Sequence, residues 1–308
     1  MKGIELARKF YEEFGESALK SSEIFDRIAV GLVGEGSECF GFDDEYSSDH
    51  DFEPAFCIWL HDADYEKYGF KLERIYAKLP KEFEGYRRQL LSPAGGARHG
   101  VMKTSDFYSR FFGAPDVTSL RQWLYIPSAS LAAASNGEVF FDGLGEFTRV
   151  REKLLLGYPE DVRLKKIAAH SSMMAQAGRY NYPRCVKRGE RGAAQLAIFE
   201  FVKHTISIIY LLNNRYEPFY KWAYRGMREL RLSDLEASLV GLTELGNSDL
   251  EAKAKSESIE EICALIVNEF RAQAITDVCE DDIDAHAISV QNKIEDYELR
   301  NMHVMEGI

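Results

Sequence analysis

Two short segments near the start of the chain contain residue types that bind phosphates and metal ions. The segment GEGS at residues 34–37 follows an apolar run, and eleven residues, 38–48, separate it from DHD at residues 49–51. Glycine allows close backbone approach to a phosphate, and carboxylates two residues apart on a strand point to one face. Such oxygen ligands suit Mg2+, which substrate phosphates then complete. The residues predicted to hold phosphate are Gly34, Gly36 and Ser37, and those predicted to hold Mg2+ and act in catalysis are Asp49 and Asp51.

Short apolar runs on either side of these segments predict the strands that position them. Residues 27–33 and 56–60 are typical of buried strands, and a helix is expected over residues 3–20. Shorter strands are expected near residues 100–102 and 139–141, after glycine-containing turns. The first 150 residues therefore predict a mixed α/β domain.

The second half of the chain has helical patterns throughout, so the fold class predicted is α+β. A chain of 308 residues exceeds the usual size of one core, which favours two domains, 1–150 with a mixed sheet and 151–308 as a helical bundle. Breaks are expected at Pro159, Pro183, Gly189 and Pro218. The predicted helices cover residues 149–156, 160–178, 190–214, 217–230, 233–245, 249–276 and 280–303.

The amino-acid composition disfavours several classes of binding partner. A formal charge of -12 and a pI near 5.2 disfavour extended nucleic-acid binding, which depends on cationic neutralisation of phosphates. The start of the chain lacks the apolar core of a signal peptide, and charges interrupt the apolar stretch 196–212, which argues against a membrane span. The five cysteines have no CxxC spacing, which indicates reduced thiols rather than a zinc site. We therefore expect a soluble cytoplasmic protein.

Longer stretches of the sequence resemble a bacterial domain-of-unknown-function family within the DNA polymerase β-like nucleotidyltransferase superfamily. The pattern of Gly-Ser, a spacer and Asp-x-Asp is one part of this resemblance. The other stretches that carry it are GLVGEGSECFGFDDEYSSDHDF (31–52), NGEVFFDGLGEFTRVREKL (136–154), YPEDVRLKKIA (158–168), YNYPRCVKRGE (180–190) and LLNNRYEPFYKW (211–222).

The resemblance implies Mg2+-dependent transfer of a nucleoside monophosphate from a nucleoside triphosphate, ATP in the first instance, to a hydroxyl of a small-molecule acceptor. Kanamycin- and streptomycin-modifying enzymes perform this reaction and carry a helical C-terminal domain. Active members commonly have a third carboxylate on the next core strand, here near residues 100–104, where Met102 or Lys103 stands instead. Asp106 and Asp142 are the nearest acids in the sequence.

Further candidates lie in the predicted helical domain, each beside a structural alternative. Arg184 and Lys187 could clamp phosphates or belong to a solvated loop, and Lys165 could reach the triphosphate or lie on a solvated helix face. Glu190 could be a general base for the acceptor hydroxyl, although an acid at a helix start also stabilises the helix dipole.

Three functions stay open on this sequence. A nucleotidyltransferase is the leading hypothesis, because both aspartates are present. A nucleotide-binding regulatory protein is the alternative that the missing third acid favours. An antitoxin-like nucleotidyltransferase is a further alternative, against which the long helical domain argues.

Overall fold

The structure is a computed structural model that describes residues 1–49, 52–88 and 98–308, with the side chains of residues 48 and 49 left out. The chain forms two compact units. The first contains Met1–Thr118 and Ile126–Leu156, and the second contains Ser119–Tyr125 and Gly157–Ile308. The sequence analysis placed a single boundary at residue 150, whereas the chain changes unit at residues 118, 125 and 156.

A four-stranded mixed sheet forms the centre of the first unit. Its order is β5–β2–β1–β6, with β1 antiparallel to both neighbours and β2 parallel to β5. Every residue of β1 and β2 is buried, as expected for apolar runs that alternate little with polar residues. The strands are β1 Ile28–Leu32, β2 Cys57–Leu60, β3 Glu82–Phe83, β4 Tyr86–Arg87, β5 Gly100–Lys103 and β6 Glu138–Asp142. Strands β3 and β4 form a separate hairpin.

Helices of the first unit cover this sheet, and a cluster that includes Phe10, Val30, Phe56 and Leu72 makes the core. The predicted helix over residues 3–20 is continuous, because a π-helical turn, Tyr11–Gly15, joins its two α-helical parts. The helices are α1 Gly3–Phe10, α2 Glu16–Lys20, α3 Asp62–Ala77, α4 Thr104–Phe112, α6 Ser128–Ser135 and α7 Glu146–Leu155, while α5 Leu120–Tyr125 belongs to the second unit.

The second unit is helical, as the sequence predicts. Helix α8 packs against α10 and α14, and these contacts bury residues on nearly all sides of α8. The helices after α7 are α8 Glu160–Met174, α9 Tyr182–Lys187, α10 Arg191–Leu212, α11 Tyr220–Met227, α12 Leu235–Glu244, α13 Asp249–Ala272, α14 Ile283–Asn292 and α15 Tyr297–Asn301.

Two details of the helical prediction were wrong. The single helix expected over 280–303 is two helices, because Asp161 accepts hydrogen bonds from the amides of Glu295 and Asp296 and so holds a non-helical link. Pro183 does not end a helix but stands in the first turn of α9, where a missing amide hydrogen costs little. The π-helical turn Ala175–Asn181 directly before it connects α8 to α9.

Helix α10 is long and apolar enough to cross a membrane by length and composition. In the structure, however, 72% of its most apolar 18-residue window is buried inside the protein. That burial is typical of the core helix of a soluble protein.

Candidate functional site

An open pocket lies where β1 ends, within the first unit. It contains about 510 Å³ of empty space, part of which is open to solvent. Its walls include the turn 34–36, Glu38 and Cys39 after that turn, Arg98 and His99 before β5, and Arg110 and Phe111 on α4. The glycine segment predicted to bind phosphate therefore forms one side of a pocket, although Ser37 is not among the lining residues.

The side chain of Asn136 fixes the glycine turn in place. Its Oδ1 accepts a hydrogen bond from the Gly34 amide at 3.0 Å, and its Nδ2 donates to the Gly34 carbonyl at 2.7 Å. Gly34 has a φ of 146°, which residues with a side chain rarely adopt, and the space beside its α-carbon is empty. The turn thus presents bare backbone to the pocket, as close approach of a ligand requires.

Two arginines face this turn from parts of the sequence that the motif did not indicate. Arg98 lies two residues before β5, and the parallel pairing of β5 with β2 brings Gly100 beside Cys57. Helix α4 starts where β5 ends and runs back, so that Arg110 in its last turn reaches the same pocket. Guanidinium groups beside exposed backbone make a site suited to an anion such as a phosphate chain.

Glu38 gives the pocket a nearly buried carboxylate among these cations. Its side chain is 10% exposed, and its Oε1 lies 3.4 Å from Arg98 Nη2, which is long for an ion pair. A Cβ on Gly36 would overlap this carboxylate, so glycine at that position allows Glu38 to lie against the turn. Sequence analysis did not select Glu38, although it directly follows the Gly-Ser pair.

The predicted metal ligands lie at the edge of what the structure describes. Asp51 falls outside the described residues, as does the side chain of Asp49. The backbone of Asp49 ends a 3-10 helix, Glu45–Asp49, so the prediction that it stands on an extended strand was wrong. Asp44 favours that turn, since its Oδ1 accepts hydrogen bonds from the amides of Tyr46 and Ser47.

The chain that follows Asp51 reaches the pocket. Glu53 Oε1 lies 2.9 Å from Nδ1 of His99, and both side chains are nearly buried. Cys57 at the start of β2 pairs with Gly31 near the end of β1, the end from which the glycine turn leaves. The segment between Asp51 and β2 therefore runs beside the wall that His99 contributes.

No acid stands on β5, whose residues are Gly100, Val101, Met102 and Lys103. Asp142 cannot replace one, because it pairs with Ala29 at the opposite end of β1 and accepts hydrogen bonds from the amides of Gly145 and Thr148. Asp106 is exposed in the first turn of α4. Neither aspartate lines the pocket.

The two cysteines near the pocket are unreactive thiols. Burial raises the pKa of Cys57 to about 12, although Arg110 and Arg98 oppose the shift. Burial, and then the charge of Glu38, raise the pKa of Cys39 well above its ordinary value. A protonated thiol is neither a strong nucleophile nor a good metal ligand, so these cysteines serve as apolar packing. Within the described ranges, no group of three His, Cys, Asp or Glu side chains forms a metal site.

Lys165, predicted as a candidate phosphate ligand, lies in the interior of the second unit. Its Nζ donates to the carbonyls of His303 and Val304, both at 2.8 Å, and to Gln291 Oε1 at 3.3 Å. Burial lowers its pKa to about 8. Because three oxygens already take up its ammonium group, Lys165 holds the segment after α15 and is not available to a phosphate.

The remaining candidates surround the turn between α9 and α10. Arg184 stacks on the ring of Tyr180 at 3.8 Å, and Lys187 is exposed in the last turn of α9. Glu190 is exposed at the N-cap of α10, one residue before the predicted first-turn position. The structure places these three side chains on one short stretch of the second unit, at its surface.

In the comparison with known proteins, one family model matches part of the chain. A family model described as "Domain of unknown function (DUF4037)" matches residues 123–223. That segment lies mostly in the second unit and contains Lys165, Arg184, Lys187 and Glu190, but not the pocket. No curated protein and no solved structure matches the chain. The resemblance to nucleotidyltransferases therefore stays a prediction from the sequence.

Proposed function

We propose that this chain is a Mg2+-dependent nucleotidyltransferase that binds a nucleoside triphosphate in the pocket at the end of β1. One observation carries the proposal: the glycine turn at residues 34–36 lines a pocket that Arg98 and Arg110 also line. Guanidinium groups, with turn amides other than that of Gly34, which already donates to Asn136, are donors that can hold phosphate chains. Glu53, which lies between the predicted metal ligands and β2 in the sequence, contacts His99 in the wall of the pocket.

In the proposed reaction, an acceptor hydroxyl oxygen bonds to the α-phosphorus, and the bond to the pyrophosphate oxygen breaks. The hydroxyl proton passes to a base, either solvent water or a carboxylate at the site. Arg98 and Arg110 would hold the phosphates in line, and Asp49 and Asp51 would be the ligands of Mg2+. Bound Mg2+ would neutralise charge that develops on the phosphate oxygens.

A nucleotide-binding regulatory protein is the second candidate, and the composition of β5 favours it. This strand carries no carboxylate to complete a second metal site. Such a protein would bind the triphosphate in the same pocket without releasing pyrophosphate.

The test combines binding with turnover. Calorimetry with Mg2+ and ATP should detect binding to the unaltered protein, and Arg110→Ala should weaken it about tenfold, the loss expected when one charge-assisted contact is removed. Arg74→Ala on α3, an exposed arginine that stacks on Phe70, is the matched control and should change affinity little. If ATP does not bind, or if both variants bind equally well, the pocket assignment is wrong.

Turnover separates the two candidates. Pyrophosphate release should appear with a correct acceptor from a panel of metabolites and antibiotics, and Asp49→Ala or Asp51→Ala should reduce it at least about a hundredfold. ATP binding without release on any acceptor supports the regulatory protein. Activity within a few-fold of the unaltered protein in both aspartate variants would remove the aspartates from the mechanism.

A further inference from the structure

Glu38 is a charged group that the proposed reaction does not yet use. It is 8% exposed, lies in the wall of the pocket, and has Arg98 as its charged partner at 3.4 Å. Among the described residues its second oxygen, Oε2, has no hydrogen-bond partner. This oxygen opens to the pocket rather than to the protein interior, so it is accessible to a ligand that enters the pocket.

The local backbone holds the carboxylate in this place. Glu38 starts a 3-10 helix, Glu38–Phe40, whose amide of Cys39 donates to the carbonyl of Gly36. The carboxylate lies where a Cβ on Gly36 would be, so the turn and the carboxylate fit together without intervening atoms. Glu38 is therefore positioned against the same turn that would meet a phosphate chain.

A carboxylate at this position would repel a phosphate chain. Like charges at this range repel strongly near a protein surface, and the carboxylate also occupies Arg98. A divalent cation reverses both effects, because Mg2+ is commonly held by one or two carboxylates together with substrate phosphates. The free oxygen of Glu38 and the absence of an acid from β5 both fit such a role.

We propose that Glu38 is a ligand of the divalent cation that enters with a nucleoside triphosphate, and that Arg98 then moves from Glu38 to the phosphates. This inference rests on the proposed function, since it concerns the same pocket. The resemblance places this oxygen ligand on the next core strand, which is β5. The inference places it instead on Glu38, the residue after Gly-Ser. Glu38 thereby makes phosphate binding depend on the cation.

Inorganic tripolyphosphate is the probe, because it reports on the phosphate site without a nucleoside. Calorimetry measures its affinity in Mg2+ and in EDTA, and the ratio of the two affinities is the readout. The unaltered protein should bind at least about tenfold more tightly in Mg2+, a difference of one cation–carboxylate contact. Glu38→Gln should lower the ratio severalfold, by weakening binding in Mg2+ and strengthening it in EDTA, while Asp49 and Asp51 preserve part of the dependence on Mg2+.

Two further variants distinguish a ligand from a merely structural partner of Arg98. Gly36→Ala keeps the charge of Glu38 but displaces its carboxylate, so the ratio should also fall. Glu23→Gln removes an exposed carboxylate of the first unit that pairs with Lys71 and does not line the pocket, so it should leave the ratio unchanged. Melting temperatures show whether each variant remains folded.

The outcomes separate this inference from the proposed function. If Glu38→Gln and Gly36→Ala both keep the unaltered ratio, Glu38 is not a cation ligand, while the pocket can still bind phosphates. If the unaltered protein binds neither tripolyphosphate nor ATP in Mg2+, the proposed function fails and this inference with it.

Discussion

Buried charge differs between the two units in how completely it is partnered. In the first unit, the carboxylate of Glu38 faces an open pocket and is 3.4 Å from Arg98. In the second unit, three oxygens within 3.3 Å surround the Lys165 ammonium group, and Lys166 Nζ donates to the Gly307 carbonyl at 2.9 Å. Burial alone therefore does not indicate a ligand site. The informative feature is a charged atom that faces a cavity and lacks partners.

The largest change in stability is expected when the Lys165 side chain is removed. Lys165→Ala leaves three part-buried acceptors without their donor, and each such group costs about 1 kcal/mol, so the free energy of unfolding should fall by about 3 kcal/mol. Urea unfolding measures the change. Lys253→Ala, whose exposed side chain pairs with Glu257 one turn away, is the control and should cost at most about 0.5 kcal/mol. Similar losses in both variants would show that Lys165 is not a structural anchor.

Two neighbouring histidines in the second unit, His170 and His204, should make the stability of that unit sensitive to acid. Nδ1 of His170 and Nδ1 of His204 lie 2.9 Å apart, and Lys166, Lys203 and Glu200 are the charged groups nearby. Burial lowers the pKa of His204 to about 4 and lowers the pKa of His170 well below its ordinary value. His204 Nε2 is 3.2 Å from Glu200 Oε2 but is not aligned for a hydrogen bond.

Because both pKa values are lower in the folded protein, the unfolded chain takes up protons first as the pH falls. The stability from neutral His204 is complete above about pH 6.5 and is lost as the pH falls toward 4, by up to about 3 kcal/mol. Urea unfolding between these pH values should therefore show a steeper loss for the unaltered protein than for the double variant His170→Gln, His204→Gln. Parallel curves would contradict the shifts. His61→Gln, an exposed histidine of the first unit, serves as the control.

The smallest expected effect concerns the clamp on the glycine turn. Asn136→Ala removes the two hydrogen bonds to Gly34 and should lower the free energy of unfolding by about 1–2 kcal/mol, with a matching loss of tripolyphosphate affinity. Asn268→Ala removes an exposed amide whose Oδ1 accepts a hydrogen bond from Arg271 Nη1 at 3.2 Å, and should do neither. Loss of stability without loss of affinity would show that the turn need not be held in this geometry for binding.

The sequence predicted the elements of the fold better than their contacts. Apolar runs identify β1 and β2 because a strand buried on both faces has few polar residues. The course of α8 was harder to interpret, since burial on nearly all sides hides Lys165 and Lys166 on faces that a helical pattern assigns to solvent. Such burial is decided by α10 and α14, which are distant in the sequence.

The candidate site was predictable only where it is local. The glycine turn follows directly from a strand ending in GEGS, so its place beside a pocket could be anticipated. Arg98 reaches the pocket because β5 pairs with β2, and Arg110 reaches it because α4 runs back from the end of β5. No local sequence pattern predicts either contact. Glu38 could have been selected from the sequence, because an acid directly after a turn predicted to bind phosphate is unusual. Asp49 and Asp51 stay predictions.

Ser119–Tyr125 belongs to the second unit, although the segments on both sides of it belong to the first. This arrangement affects the order in which contacts form during synthesis on the ribosome. Trp123 stacks near Tyr216, and the hydroxyl of Tyr125 donates to Glu306, which lies 181 residues later. At 5–20 residues per second, Tyr125 waits roughly 10–35 seconds for that partner, while the remainder of its neighbourhood in the sequence can already fold. This segment can therefore contact α8 and Tyr158 early, but it completes its contacts only when Glu306 has been synthesised, and the fluorescence of Trp123 can follow its packing.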